Sequence, residues 1–589
     1  MALRRGYGLV LGLIVIAFAV SAAGLGALWL FTSRQPSVDR DSTLLLRLDT
    51  DLHEGTPDDV FRQILSGRRA PSLATIVENL RKAKVDDRIK AVVVAPSNLQ
   101  APYWAKVQEV RDAILDYRRS GKPAIAYLEF ADDRTYYLAT ACDRIYLMPS
   151  STLDLNGLAS YELFLRGTLD KAGAYPDFVH IGEYKTAANQ YTEYGFTPAH
   201  REMSTSLNRD LYEQLVRGIG EGRKKTAEEV RALIDRGPFL AQQAFEAGLV
   251  DGLAYLDQLD DKEQALKEDG DWVDTREYAN VAAAALGLNK GPRIGVIYAS
   301  GIIMSGESAF DAFSGQILGS DTLIRHIRAA RDDRSLRAIV VRIDSPGGSA
   351  VASDAIWREL VITRDQDPKR PLVVSMSDLA ASGGYYIAMA APHIVAQPAT
   401  LTGSIGIVAG KLVTGGTWAK VGANIETVSH GKNAEIYSPV RPFNESERAA
   451  LMASLQSFYD QFVEKAAKAR QMTPEQLHKV AQGRVWTGAQ AKEIGLVDEL
   501  GGLDRAIELA KEKAGIAKDA EVQLVVFPKR RSVYELFAEA MRLETRGDLF
   551  AAAALLPADE RRALGVLTAP MRLFRRAEPL ALMPYARLR

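Results

Sequence analysis

The sequence predicts an α/β protein made of two tandem copies of one βαβ-type domain, placed behind an N-terminal transmembrane helix. Three observations carry this. Ordered stretches recur at a nearly constant spacing. Short β-type runs alternate with helical patterns inside each copy. One uncharged stretch near the start is long enough to cross a bilayer. A chain of 589 residues is also long for a single core, so several domains are expected. With 47% hydrophobic and 25% charged residues it reads as globular rather than disordered. A net charge of −1 gives no electrostatic footprint for nucleic acid. The one cysteine, Cys142, excludes an intramolecular disulfide and a cysteine-rich metal site.

The first element is residues 1–42, anchor and linker. Arg4 and Arg5 precede a stretch from Gly6 to Ser33 without a charged residue. At about 1.5 Å per residue a helix of that length exceeds the roughly 30 Å apolar core of a bilayer. Trp29 and Phe31 stand near its far end, where interfacial aromatics gather. A cleaved signal peptide ending near Ser21-Ala22-Ala23 is the competing reading, but the apolar run continues past that point. Arg4 and Arg5 place the short end in the cytoplasm and the rest of the chain across the membrane.

The two copies follow, residues 43–290 and 291–528. Asp86-Asp87-Arg88-Ile89-Lys90-Ala91-Val92-Val93-Val94 matches Asp332-Asp333-Arg334-Ser335-Leu336-Arg337-Ala338-Ile339-Val340-Val341. Tyr136-Tyr137-Leu138-Ala139 matches Tyr385-Tyr386-Ile387-Ala388, and Gly248-Leu249-Val250-Asp251 matches Gly495-Leu496-Val497-Asp498. Ordered matches at nearly one spacing indicate duplication of a whole domain. In the first copy Ala91–Ala95 and Ala124–Leu128 read as buried strands. Tyr103–Arg119 between them reads as a helix with Val107, Val110, Ile114 and Leu115 on one face. In the second copy Ala338–Ile343 and Leu372–Met376 flank a helix over Ala350–Thr363. Such strand–helix–strand units point to a sheet with right-handed crossovers.

Two loops of the second copy carry candidate chemistry. Ser382-Gly383-Gly384 stands between the run Leu372–Met376 and a helical pattern. A hydroxyl there sits on a helix N-terminus, where unpaired N–H groups favour negative charge. It can attack a carbonyl while neighbouring amides hold the oxyanion; it also fits an ordinary serine N-cap. Asp344-Ser345-Pro346-Gly347-Gly348 ends the preceding strand, on the same edge of a parallel sheet, where ligands gather. The first copy lacks both features: Asp133 takes the place of Ser382, and Ser97-Asn98-Leu99-Gln100 that of Asp344-Ser345-Pro346-Gly347. The seven histidines offer no base with an orienting carboxylate. Lys185 is the alternative, since burial disfavours a charged amine. Ala434 stands at its place in the second copy. One copy keeps the serine and the other the lysine, the pattern left by a duplicated hydrolase whose site forms between copies.

Ser382-Gly383-Gly384-Tyr385-Tyr386, Asp344-Ser345-Pro346-Gly347-Gly348, Thr402-Gly403-Ser404-Ile405-Gly406 and Gly182-Glu183-Tyr184-Lys185-Thr186 together resemble the signal peptide peptidase A family in its long, duplicated form, over roughly residues 44–527. The resemblance implies a crotonase/Clp-protease-like fold in each copy. It implies Ser382 as nucleophile, Lys185 as general base, the Gly348 and Gly383 amides as oxyanion hole, and Ser404 orienting the lysine. It further implies a homotetramer acting on released, apolar signal peptides. No metal and no cofactor is expected. The implied location is a bacterial inner membrane, single-pass, with the catalytic domains on the periplasmic face. Two other classes are compatible with parts of the sequence. One is a crotonase-type acyl-CoA enzyme, which needs the oxyanion hole but no nucleophile. The other is a silent membrane scaffold.

Residues 529–589 form a basic extension with 12 Lys/Arg against 7 Asp/Glu. Its composition fits a membrane-surface or oligomer contact, or a solvated appendage.

Overall fold

The computed structural model describes residues 38–48, 52–54, 71–96, 99, 103–266, 271–311, 315–528, 579–584 and 587–588. The stretch read as a membrane anchor lies outside them. Among the described residues no helix is long and apolar enough to cross a membrane.

The first half is built on a six-stranded parallel sheet. Its order is Gly252–Leu253, Arg144–Leu147, Ala124–Leu128, Ile89–Ala95, Ser42–Arg47 and Trp272–Asp274. Strands buried on both faces need apolar side chains at every position, and Val92, Val93 and Val94 supply them without exposed surface. The helix Leu73–Val85 starts at Ser72, whose hydroxyl accepts from the Thr75 amide. It and the helix Ala105–Arg118 cover one face, with Ile76, Leu80, Val107, Val110 and Ile114 turned into the core. Leu115, read onto the same face, is only partly buried.

The second half repeats this plan. Gln523–Phe527, Arg293–Ser300, Leu336–Ser345, Leu372–Ala381 and Leu401–Gly403 run parallel in that order, and Val485–Thr487 closes the edge antiparallel. The strand read from the sequence as Leu372–Met376 continues to Ala381. After a register break, Leu379–Ala381 pair with Leu401–Gly403.

The duplication is visible bond by bond. The Tyr136 hydroxyl donates to the Leu249 carbonyl at 2.7 Å, and that of Tyr385 to Leu496 at 3.0 Å. Arg223 pairs with Asp251, and Arg470 with Asp498. Ala131 pairs with Leu153 as Ala380 pairs with Thr402, which sets Asp133 at the place of Ser382. Tight turns and part-buried ion pairs tolerate few residues, which is why these stretches still match.

A third sheet joins the halves. Its order is Ala309–Asp311, Gly315–Gly319, Ile302–Met304, Gly347–Ser349, Leu580–Leu582, Ile407–Val413 and Tyr175–Ile181. The last strand comes from the first half and pairs antiparallel with Ile407–Val413 of the second, from Ile181 opposite Ile407 to Tyr175 opposite Val413. The corresponding stretch of the second half, 422–430, is not a strand and is exposed throughout. Leu580–Leu582 belong to the basic extension. This part is no solvated appendage, because Leu580, Ala581 and Met583 are buried.

Candidate active site

Ser382 caps the helix Gly383–Ala388 directly after the strand Leu372–Ala381. The turn is so tight that Ser382 takes φ 58°, ψ −111°. A residue with a Cβ rarely adopts this conformation, at a cost of about 1–3 kcal/mol. Backbone bonds hold it there: the Ser382 amide donates to Gly403 O at 2.7 Å, and the Tyr386 amide to Ser382 O at 2.8 Å. The hydroxyl is thereby fixed at the mouth of a helix whose first amides have no partner within the helix.

Lys185 arrives from the first half, four residues beyond the joining strand Tyr175–Ile181. Its loop rests on the second half, with the Tyr184 amide donating to Gln482 O at 2.9 Å. Two glycines permit that approach. A Cβ at Gly182 (φ 109°) would lie 2.4 Å from the Gln482 carbonyl carbon, and one at Gly483 (φ 81°) would lie 2.5 Å from the Lys185 Cα.

The lysine Nζ meets three oxygens: Ser382 Oγ at 2.7 Å, Ser404 O at 2.9 Å and Ser404 Oγ at 3.1 Å. Ser382, Lys185 and Ser404 have no exposed surface. Burial pushes the amine well below the ordinary lysine range, and no carboxylate among the described residues opposes the shift. A neutral amine suits its three partners. Only the Ser404 carbonyl must accept, so the nitrogen lone pair is available to the Ser382 O–H.

The glycine loop lies beside the serine. Gly347 (φ 101°) and Gly348 (φ 153°) form a short strand that only residues without a Cβ could make. A Cβ on Gly347 would meet Gly383 N at 2.7 Å, and one on Gly383 would meet Gly348 N at 3.2 Å. The two amides therefore come from backbone segments in direct contact. The structure thus brings together Ser382, Lys185, Ser404, Gly348 and Gly383. His180 and His430 are exposed, and His393 opens a strand.

Sequence reasoning missed a second cluster beneath the loop. Lys106, on the first-half helix Ala105–Arg118, reaches Asp344 at 2.7 Å and Asp378 at 3.5 Å. The Lys106 amide donates to Asp378 at 3.0 Å, and the Leu379 amide to Asp344 at 3.2 Å. Buried Arg342 binds Glu54 at 2.9 Å and Glu109 at 2.6 Å, both from the first half. Burial opposes the Lys106 charge, yet Asp344, Asp378 and Glu54 hold its pKa above the usual range. Burial lifts Asp378 to about 6 against the pull of Lys106. Asp344 stands at the start of the glycine loop and Asp378 four residues before Ser382, so these ion pairs fix both loops to the first half. Isolated charged residues on unrelated helices and strands gave no sequence signal for this.

Residues 116–269 and 364–517 each match peptidase family S49. The serine protease SPPA of Arabidopsis thaliana chloroplasts is 37% identical over 77% of this chain and 67% of its own length. Protease 4 of Salmonella typhi is 34% identical over 83% of this chain and 79% of its own length. A putative signal peptide peptidase SppA of Enterococcus faecium is 32% identical over 36% of this chain and 60% of its own length.

Proposed function

The chain belongs to peptidase family S49, and on that footing we propose that it is a serine endopeptidase working with a Ser382–Lys185 dyad. One observation carries the reading: a buried lysine with no counter-charge among the described residues lies 2.7 Å from the hydroxyl of a serine on a helix N-terminus. Neutral Lys185 takes the Ser382 proton as the oxygen attacks a peptide carbonyl. The Gly348 and Gly383 amides receive the oxyanion. Lys185 passes the proton to the leaving amine, and water then releases the acyl group by the same steps. Ser404, bound to Nζ through both its carbonyl and its hydroxyl, holds the amine beside Ser382.

The substrates we propose are apolar peptides, signal peptides among them, met at a membrane on which residues 1–42 anchor the enzyme. The name of the Enterococcus faecium relative and the uncharged stretch Gly6 to Ser33 support this. We also propose a homotetramer. Within one chain Tyr175–Ile181 pairs with Ile407–Val413; the repeat of that pair would join 422–430 of one copy to the stretch around Ser160–Tyr161 of the next. Exposed apolar side chains at both places support it: Val428 is 92% exposed, and Tyr161 and Leu163 also face solvent.

The test is hydrolysis of an apolar reporter peptide. Ser382→Ala and Lys185→Ala should each lower kcat by at least ~10³-fold with an unchanged circular dichroism spectrum. Full activity in Lys185→Ala would sink the dyad.

A further inference from the structure

The strands Leu336–Ser345 and Leu372–Ala381 lose their register just before the site. Ile343 pairs with Met376, and the next pair is Ser345 with Ala380. One strand covers that interval with Asp344 alone, the other with Ser377, Asp378 and Leu379. A bulge of this kind interrupts the ladder and leaves backbone groups for side chains to satisfy. The Asp344 carboxylate takes one of them, accepting from the Leu379 amide at 3.2 Å. Beyond the bulge the chain runs from Asp344 to Gly348 and from Asp378 to Ser382, four residues in each case. Whatever sets Asp344 against Asp378 therefore sets the Gly348 amide against the Ser382 hydroxyl.

Lys106 bridges the two carboxylates. Its Nζ lies 2.7 Å from Asp344 Oδ2 and 3.5 Å from Asp378 Oδ2. Its own amide donates to Asp378 Oδ1 at 3.0 Å. That amide is among the first of the helix Ala105–Arg118, whose N-cap residue Trp104 makes no side-chain capping bond. A carboxylate of the second half does the capping instead, and the residue it caps reaches across to the other carboxylate. Lys106 and Asp378 are buried, so these charge-assisted bonds act in a low dielectric and with defined geometry. In the first copy Ser97 stands at the place of Asp344, so that copy lacks the bridged pair as it lacks the nucleophile.

We infer that Lys106 is a positioning residue for peptide hydrolysis: by bridging Asp344 and Asp378 across the bulge it holds the Gly348 and Gly383 amides where the oxyanion formed at Ser382 needs them. The inference rests on the Ser382–Lys185 reading of the site. Replacing a buried ion cluster by packed apolar groups is commonly neutral or stabilising, so stability alone does not account for the bridge. Its contribution is geometric. The first half then supplies both lysines of the reaction, Lys185 to move the proton and Lys106 to shape the oxyanion hole. A displacement of about 1 Å in such a hole costs ~100-fold in rate. The oxyanion exists only at and near the transition state, so the loss falls on kcat and leaves KM alone.

Hydrolysis of an apolar reporter peptide by the full chain tests this, with a peptidyl aldehyde of matching sequence as inhibitor. The aldehyde carbon bonds to Ser382 Oγ and places its oxygen where the oxyanion goes. Lys106→Met should lower kcat ~100-fold and leave KM within about twofold. The aldehyde should bind more weakly by the same ~100-fold. Lys106→Arg keeps a cation able to reach two carboxylates and should recover most of the lost rate. Because Lys106→Met leaves two carboxylates without their cation, a second variant combines it with Asp344→Asn and Asp378→Asn. It should keep the parent's circular dichroism spectrum and stay as slow. A parental kcat in that folded triple variant overturns the inference, and so does a loss carried by KM with aldehyde binding unchanged. Ser382→Ala, assayed alongside, separates the two readings. If it still cuts the reporter, the dyad falls and the positioning role with it. If it is inert while Lys106→Met keeps the parental rate, the positioning role alone falls.

Discussion

Lys185 is a cation-forming side chain placed where a cation is disfavoured. It has no exposed surface, and burial alone moves its pKa down from 10.5. Two consequences differ in sign. Only the neutral amine can take the Ser382 proton, so kcat should fall as pH is lowered through the depressed value. It should gain nothing on approach to the ordinary lysine range. Stability runs the other way. Between the two values the unfolded chain holds a proton that the native chain lacks, so this group weakens the fold near neutrality and ceases to do so as pH nears 10.5. Lys185→Met should therefore be inactive yet melt higher than the parent at pH 7, and that gain should shrink by pH 10. Calorimetry at both values checks it. Lys185→Arg should be inactive and melt lower, because a guanidinium stays charged.

The turns around the site decide how the halves meet. Gly483→Ala would press a Cβ on the Lys185 backbone at a position with positive φ. It should cost about 1–3 kcal/mol in urea unfolding and more than tenfold in peptide hydrolysis, since Nζ would move off Ser382. These turns also show what the sequence made legible. Ser382, Gly383 and Gly348 stood out because an oxyanion site needs small residues at strand ends, and Lys185 because its counterpart in the other copy is Ala434. The copies betrayed themselves through Tyr136 and Tyr385 and through Asp251 and Asp498, whose arginine partners keep them from drifting. Gly483 was silent, because its meaning lies in a backbone about three hundred residues upstream. Leu580–Leu582 were silent for the same reason: a three-residue apolar run names no partner, and its ladder is with glycines that have no side chains to match. Strand ends shifted where pairing outlasted the apolar pattern, as in Leu372–Ala381.

Across the whole molecule the two halves are fastened by charge under the loops and by a shared sheet above them. Arg342→Met would leave Glu109 buried without its cation and Glu54 with only Lys106 at 3.9 Å, and should lower the unfolding free energy by about 3–5 kcal/mol in a denaturant titration. Val428→Asp, on the exposed stretch of the second half, should leave that stability unchanged. It should reduce the assembled mass by light scattering if copies join through this edge. The site's division between halves has a bearing on time as well as space. During synthesis Lys185 emerges first, Ser382 follows about two hundred residues later, and Gln482-Gly483, which seat the lysine, come a further hundred residues on. A chain still short of its second half holds a base without a hydroxyl. On the proposed dyad the site is therefore incomplete until the second half is finished, and translation itself acts as the safety catch.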